Sequence, residues 1–399
     1  MSRHVLVINA GSSSLKYSLV EADGGTAVGS GLVERIGEPE GSVHHSGPDG
    51  IHDEEREVSS HEDALRIALD AFATHGPDLD DAGIEAIGHR VVHGGDRFSA
   101  PALIDDELIT AVEELVPLAP LHNPANLEGI EVARRLFPDL PHVAVFDTAF
   151  HQTLPEHAYT YAVPREWAQE HHIRRYGFHG TSVAFVVRAA ADLLGKPIEE
   201  CRLIVLHLGN GASATAVDGG RSVETSMGFT PLEGLVMGTR SGDVDPALPA
   251  HLHRHLGWSV DDIDRMLNRE SGLKGLSGHN DFRELEEKRV EGDAAAALAF
   301  DVFCHRVRKY VGAYYAVLGE VDAIVFTGGV GENSHAVRAA SLSGLQGLGI
   351  ELDEERNRNS GDEPRNVARD GASAVAVLVV PTDEEWEIAR QSLEVVDAS

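Results

Sequence analysis

The sequence predicts an α/β protein of two domains related by duplication, and three observations predict it. The chain has 399 residues, too many for one ordinary core. Leu203–Val217 superposes without a gap on Val5–Leu19, so that Gly209 falls on Gly11 and His207 on Asn9. Each segment is an apolar strand, a polar residue, a glycine tip and a second strand. A third apolar strand, Ile324–Thr327, runs into the turn Thr327-Gly-Gly-Val-Gly331, where glycines let a ligand approach the backbone. Two such hairpins would aim backbone N–H groups at one anion in a cleft between domains. The rival explanation is a chance likeness of two ordinary hairpins.

The elements follow in order. Val5–Ile8 is a buried strand, and Leu15–Val20 alternates like a second one across the polar tip Asn9–Ser14. The tip is not a P-loop, which needs G-x-x-x-x-G-K-[ST] opening a helix; here there is one glycine and then a strand. Gly37–Gly50, rich in Gly, Pro and His, reads as a loop, and Asp53–Glu55 as exposed loop charge. Leu65, Ile67, Ala68, Leu69 and Phe72 recur at helical spacing over His61–Phe72, and Ser60 with Asp63 makes a capping-box-like start. Another helix spans about Asp106–Val116. Asn123 reads as an N-cap with Pro124 at N1, opening a helix to about Leu136. His142–Phe146 is a short buried strand ending at Asp147. His251 and His255 share a helix face, as zinc ligands do, but no further ligand pattern accompanies them and a solvated face is expected.

Composition narrows the function. The apolar fraction of 42% with 41 glycines fits a soluble α/β protein with many tight turns. The longest apolar run, near Ala372–Val380, is too short for a membrane helix, and the N-terminus enters a strand without a signal-peptide pattern. Cys201 and Cys304 alone imply no disulfide framework and a cytoplasmic setting. A net charge of -32 argues against nucleic acid or membrane as partner. Any anionic substrate must therefore enter a locally positive pocket.

The motifs resemble those of the acetate kinase family, within the acetate and sugar kinase, heat-shock chaperone and actin superfamily. They are Val7–Lys16 (VINAGSSSLK), Gly88–Gly95 (GHRVVHGG), Leu121–Pro124, Val145–Gln152, Tyr176–Ser182 and His207–Gly211. Thr225–Gly234, Gly238–Asp243, Gly328–Asn333 and Pro381–Glu385 complete the set in the family's order. Two departures stand out: Val183 replaces a histidine the family often carries, and Leu276–Arg283 differs around Asp281 and Arg283. The resemblance implies two duplicated actin-like (ribonuclease H-like) domains with an interdomain active-site cleft. One domain would comprise 1–150 plus 384–399 on the acetate and magnesium side, the other 151–383 on the nucleotide side. It implies ATP/ADP and acetate as substrates, Mg2+ (or Mn2+) as cofactor, and a homodimer.

Phosphoryl transfer to acetate needs in-line placement and charge neutralisation rather than a strong base, because a carboxylate of pKa about 4–5 is already ionised at pH 7. The resemblance assigns the cations to Arg90, Arg240 and His179; taken singly, these would be a surface charge, a loop ion pair and a loop histidine. Asp147 is then an orienting acid, otherwise a helix cap. Asn9 and Glu384 would face the metal with oxygen ligands; Glu384 alone would be ordinary charge at a helix start. Many superfamily relatives have an acid at the position of Asn9, and the amide removes one negative charge where two anions meet.

The resemblance also places ATP along Ser12, Ser14, Lys16, His207, Leu208, Gly209, Asn210, Gly211, Asp281, Phe282, Arg283, Gly329, Val330, Gly331, Glu332 and Asn333. The acetate pocket would use Val92, Leu121, His122, Phe178 and Pro231, most of which are otherwise plain core positions. A kinase for propionate or another short acid is the nearest alternative, because one methylene is worth only about 1–3 kcal/mol. A non-catalytic ATP-gated module is the other, and it would have no use for Arg90, Arg240 and His179 together.

Overall fold

The computed structural model describes residues 2–22, 24–79 and 81–399. The chain separates into two compact units, residues up to Phe150 with Asp383–Ser399, and His151–Thr382. Unit 1 contains β1 (His4–Ala10), β2 (Ser14–Glu21), β3 (Thr26–Glu34), β4 (Gly41–Gly47), β5 (Gly50–Arg56), β6 (Ile84–Val91), β7 (Ala102–Leu103) and β8 (His142–Phe146). Their sheet order is β5-β4-β3-β2-β1-β6-β8-β7, with β1, β6 and β8 parallel and the other pairs antiparallel.

The continuous apolar run of β1 reflects burial on both faces. Leu6 and Ile8 pack with Leu65, Ala68 and Phe72 of helix His61–His75 and with Val132 and Ala133 of helix Asn123–Leu136. Val5 and Val7 point the other way, onto Ile388, Ala389 and Leu393 of helix Glu384–Asp397. Gly88 permits that last contact, since a Cβ there would lie 2.7 Å from Ser392 Oγ and 2.8 Å from Ile388 Cγ2. The last helix of the chain is thereby fixed on the sheet formed by its first strand.

Unit 2 contains β9 (Arg202–Leu208), β10 (Ala212–Asp218), β11 (Arg221–Thr225), β12 (Ala323–Thr327), β13 (Arg365–Asn366) and β14 (Ala376–Val379), in the order β11-β10-β9-β12-β14-β13. β9, β12 and β14 are parallel, and β9, β10 and β11 are antiparallel neighbours. The series β3-β2-β1-β6-β8 and β11-β10-β9-β12-β14 therefore share order and direction. This is the duplicated actin-like fold.

Several expectations need correction. The gapless superposition fails at the tip: Ala10 pairs with Leu15, but Leu208 pairs with Ala212, one residue nearer. The Gly11 N–H reaches Ser14 O, while the Gly209 N–H reaches Gly211 O, so the second turn is one residue tighter. Gly37–Gly50 is not one loop but holds β4, which pairs with β5. Asp53–Glu55 is exposed as expected, yet on the edge strand β5, where charge discourages further pairing. The helix expected to reach Val116 ends at Glu114, and a 3-10 turn follows over Val116–Leu118. His122, not Asn123, is the N-cap, because the Asn123 amide is used to bind the backbone of His93. The glycine turn after β12 is a short helix, Gly328–Asn333.

Candidate active site

In unit 1 the charged residues gather where the parallel strands end. Ile8 pairs with His89 and Arg90 with Val145, which sets Asn9 beside Arg90, and Asp147 follows β8 directly. Arg90 Nε and Nη2 donate to Asp147 Oδ2 at 3.0 and 2.6 Å, a forked pair on a carboxylate only 2% exposed. Asp147 thus engages a guanidinium. Glu384 Oε2 lies 3.9 Å from Arg90 Nε, at the start of the terminal helix. Burial works to lower the Arg90 pKa, but Asp147 and then Glu384 outweigh it, and the guanidinium is held above its usual value. Burial raises the Glu384 carboxyl, opposed by Arg90 and reinforced by Asp147.

The hairpin tip is held from several sides. Lys16, across from Asn9 in the ladder, forms an ion pair with Glu385. Gly11 O accepts from His61 Nε2 at 2.6 Å, and Ala10 O from Asn126 Nδ2 at 2.7 Å. Ser12 is exposed and Ser14 half-buried. Val92 and His122 are half-buried and Leu121 is 52% exposed, so these three are not core. The Val92 N–H donates to Asn126 Oδ1, which fixes the chain just past β6.

Unit 2 builds a cradle around Gly211. A Cβ on Gly211 would sit 3.4 Å from His179 Nε2 and 3.7 Å from Arg240 Nη1, so two cationic or donor groups converge on bare backbone. His179 occupies the left-handed region at φ 60°, unusual for a residue with a side chain. Its ring is fixed by Ser213 Oγ at Nδ1 (3.0 Å) and by stacking on His207 at 4.3 Å. Among the described residues Arg240 has no carboxylate partner; Nη1 meets only Pro231 O at 3.5 Å and Met237 Sδ at 3.9 Å. Burial lowers its pKa, which marks a guanidinium short of counter-charge. Phe178 is buried, and its carbonyl accepts from His151 Nε2.

Beside the cradle lies a cavity of about 720 Å3, lined by Gly209, Asn210, Asp281, Phe282, Arg283, Gly329, Val330 and Asn333 among others. Its size suits a nucleotide-like ligand. The sequence reading missed Gly238, Asn280, Glu286 and Ser334 on its wall. Gly238 lay inside a matched motif and was the recoverable one: a Cβ there would strike Asn210 Oδ1 at 1.8 Å. Asp281 caps the helix Phe282–Val290 and binds Arg283, whose guanidinium and backbone N–H hold the carboxyl down at about 2. Leu208 is fully buried in β9, and Gly331 is buried within its short helix. Glu332 Oε1 accepts from the Gly328 N–H at 2.7 Å and the Thr382 N–H at 3.1 Å, so its carboxylate braces the glycine segment from behind. Another hollow, about 610 Å3, lies between β4–β5 and helix His61–His75, away from every parallel strand end.

The donors in unit 1 fit Mg2+. Asn9, Asp147 and Glu384 offer only oxygen-type ligands, and two carboxylates face the single guanidinium of Arg90. This hard cation takes one or two carboxylates and completes its shell with phosphate oxygens and water.

Fold and site together define a phosphotransferase class: a duplicated actin-like scaffold with, among the described residues, a guanidinium that meets no carboxylate in one unit and a carboxylate-bound one in the other. The acetokinase family model matches residues 4–390, and the chain belongs to the acetokinase family. It is 59% identical to an acetate kinase of Clavibacter michiganensis subsp. michiganensis over 98% of each chain. It is 55% identical to an acetate kinase of Streptomyces coelicolor, over 100% of this chain and 98% of that one. Among solved structures it resembles Porphyromonas gingivalis acetate kinase (TM-score 0.94) and a Francisella tularensis subsp. tularensis propionate kinase (TM-score 0.93). Each is 42% identical, over 99% of this chain and 100% of the other.

Proposed function

We propose that this protein is an acetate kinase that transfers the ATP γ-phosphoryl group directly to acetate, reversibly, giving acetyl phosphate and ADP. The observation that carries this reading is the contrast between Arg240, without an acid among the described residues, and Arg90, bound by Asp147, in a chain 59% identical over 98% of its length to a named acetate kinase. Unit 2 would hold ATP, with adenosine in the cavity at Asp281–Arg283 and phosphates at His207–Gly211. Arg240 and His179 would meet the transferring phosphoryl oxygens as it loses its bond to ADP. Arg90 would hold the acetate carboxylate in line, oriented by Asp147, with Val92, Leu121, Phe178 and Pro231 around the methyl group. Acetate attacks in its ionised form, so none of these residues has to remove a proton. Asn9 and Glu384 would hold Mg2+, which would supply charge neutralisation during the transfer. Work in the cytoplasm as a homodimer, feeding acetyl-CoA synthesis through acetyl phosphate, belongs to the same reading.

The test is an ADP-release assay with acetate, trapping acyl phosphate as the hydroxamate. Product should depend on acetate and disappear with EDTA, and Glu384→Gln should raise the Mg2+ concentration needed; no acetate-dependent product would defeat the reading. Propionate is the second reading, favoured by the equal identity to a propionate kinase structure. A kcat/KM for propionate tenfold above that for acetate would establish it.

A further inference from the structure

His207 and His179 stack with centroids 4.3 Å apart, and each is fixed at Nδ1 by a serine. For His207 that serine is Ser182, which is fully buried on the first turn of helix Gly180–Leu194 and 2.8 Å from Nδ1. Ser182 Oγ is also 2.7 Å from the hydroxyl of Thr382. Thr382 is itself anchored, because its N–H donates to Glu332 Oε1. Three groups thus form one chain, Thr382–Ser182–His207, and each hydroxyl has a single hydrogen to give.

The direction of that chain decides the chemistry of His207. If Ser182 donates to Nδ1, the neutral imidazole keeps its hydrogen on Nε2 and has a donor there. If His207 donates to Ser182 instead, Nε2 becomes a bare lone pair, which repels phosphate oxygens. With Ser182 donating, its oxygen is left to accept from Thr382.

We propose that Ser182 and Thr382 are positioning residues for the phosphate site: the relay Thr382→Ser182→His207 holds His207 in the tautomer with hydrogen on Nε2 as a donor to the nucleotide. This rests on the reading above that His207 meets the phosphates of ATP. Neither hydroxyl need touch substrate. The backbone anchor through Glu332 links the same relay to the glycine segment Gly328–Asn333, so the two walls of the nucleotide site are set by one contact point.

The test has two readouts on the full-length protein. Two-bond 1H–15N correlations on 15N-histidine protein, with His207 identified by the signals missing from His207→Gln, report its tautomer without any turnover. Wild type should show hydrogen on Nε2, and Ser182→Ala should show a mixture or the other tautomer. In steady state, Ser182→Ala should raise KM for ATP about five- to tenfold, within the range for one ordinary hydrogen bond lost, with kcat and KM for acetate changed less than about twofold. Ser182→Thr keeps the hydroxyl and should restore both readouts. Thr382→Val, which deletes a hydroxyl outside the core, should shift them in the same direction by about two- to threefold, and covers the case in which Ser182→Ala fails to fold. An Nδ1–H tautomer in wild type, or an unchanged tautomer and KM for ATP in both variants, overturns the relay while leaving the kinase reading intact. A wild type with the expected tautomer and no acetyl phosphate formation upholds the relay and overturns the kinase reading.

Discussion

The two units carry the same five-strand series but place different chemistry at matching strand ends. In the ladder Asn9 corresponds to His207, Arg90 to Thr327 and Asp147 to Thr382. Unit 1 ends its strands in charge that is already balanced, Arg90 by Asp147 and Glu384, and Lys16 by Glu385. Unit 2 ends them in hydroxyls and imidazole, and keeps Arg240 nearby with no acid among the described residues. Under the proposed function, the difference separates holding a group from receiving one. A guanidinium already bound to a carboxylate is fixed in direction and presents its remaining face, whereas a half-buried guanidinium without counter-charge gains most when an anion arrives.

That comparison breaks if the two arginines behave alike. Arg90→Ala should cost activity and stability together. It strips the guanidinium from the buried Asp147 carboxylate, at about 3–5 kcal/mol, and thermal unfolding should show a clear fall in Tm. Arg240→Ala should cost about 10²–10³ in kcat by the hydroxamate assay with Tm unchanged or slightly raised, because a guanidinium that burial disfavours is removed. Equal Tm losses in the two variants would show that Arg240 is a structural ion after all.

Gly211→Ala sharpens the account of the cradle. The added methyl fits at contact distance from His179 and Arg240 without straining the backbone, yet occupies the space that the proposed function gives to a phosphoryl oxygen. We expect about a tenfold loss in kcat/KM for ATP and for acetyl phosphate, measured in opposite directions, with unfolding unchanged. An unaffected enzyme would place the phosphoryl group elsewhere.

A separate expectation concerns pH and unit 1. Burial pushes His93 down to about 4 and His89 well below its usual value, while His45 and His142 are lowered by burial as well. The folded state therefore binds fewer protons than the unfolded one below pH about 6.5. Stability is full above that pH and is lost as pH falls towards 4, by about 1.4 kcal/mol per pH unit for each histidine kept neutral. Urea midpoints from pH 7 to pH 5 should show this slope, and His93→Gln should reduce it by one proton. A flat profile would remove the buried histidines from the stability of unit 1.

Local pattern carried much of this. The apolar run of β1 marks a doubly buried strand, Ser60 does accept from the Asp63 N–H to start its helix, and the glycine tips lie at strand ends. Where the pattern misled, a tertiary partner had claimed the residue. Asn123 would cap its own helix in isolation but binds His93, and Asp147 meets Arg90, 57 positions earlier in the chain. β4 and β5 gave little sign of themselves because a half-exposed hairpin rich in Gly and His lacks the alternation that marks a strand.

The sequence by itself determined the duplicated α/β plan, the family and the residue types at the strand ends, because apolar periodicity, glycine placement and whole motifs are local properties of the chain. Tertiary structure alone decided which charges are neutralised. Whether Arg240 has an acid beside it, whether Glu332 faces a ligand or braces Thr382, and which serine fixes which histidine depend on contacts between residues distant in sequence. Coulomb and hydrogen-bond energies fall steeply with separation, and separation is set by packing.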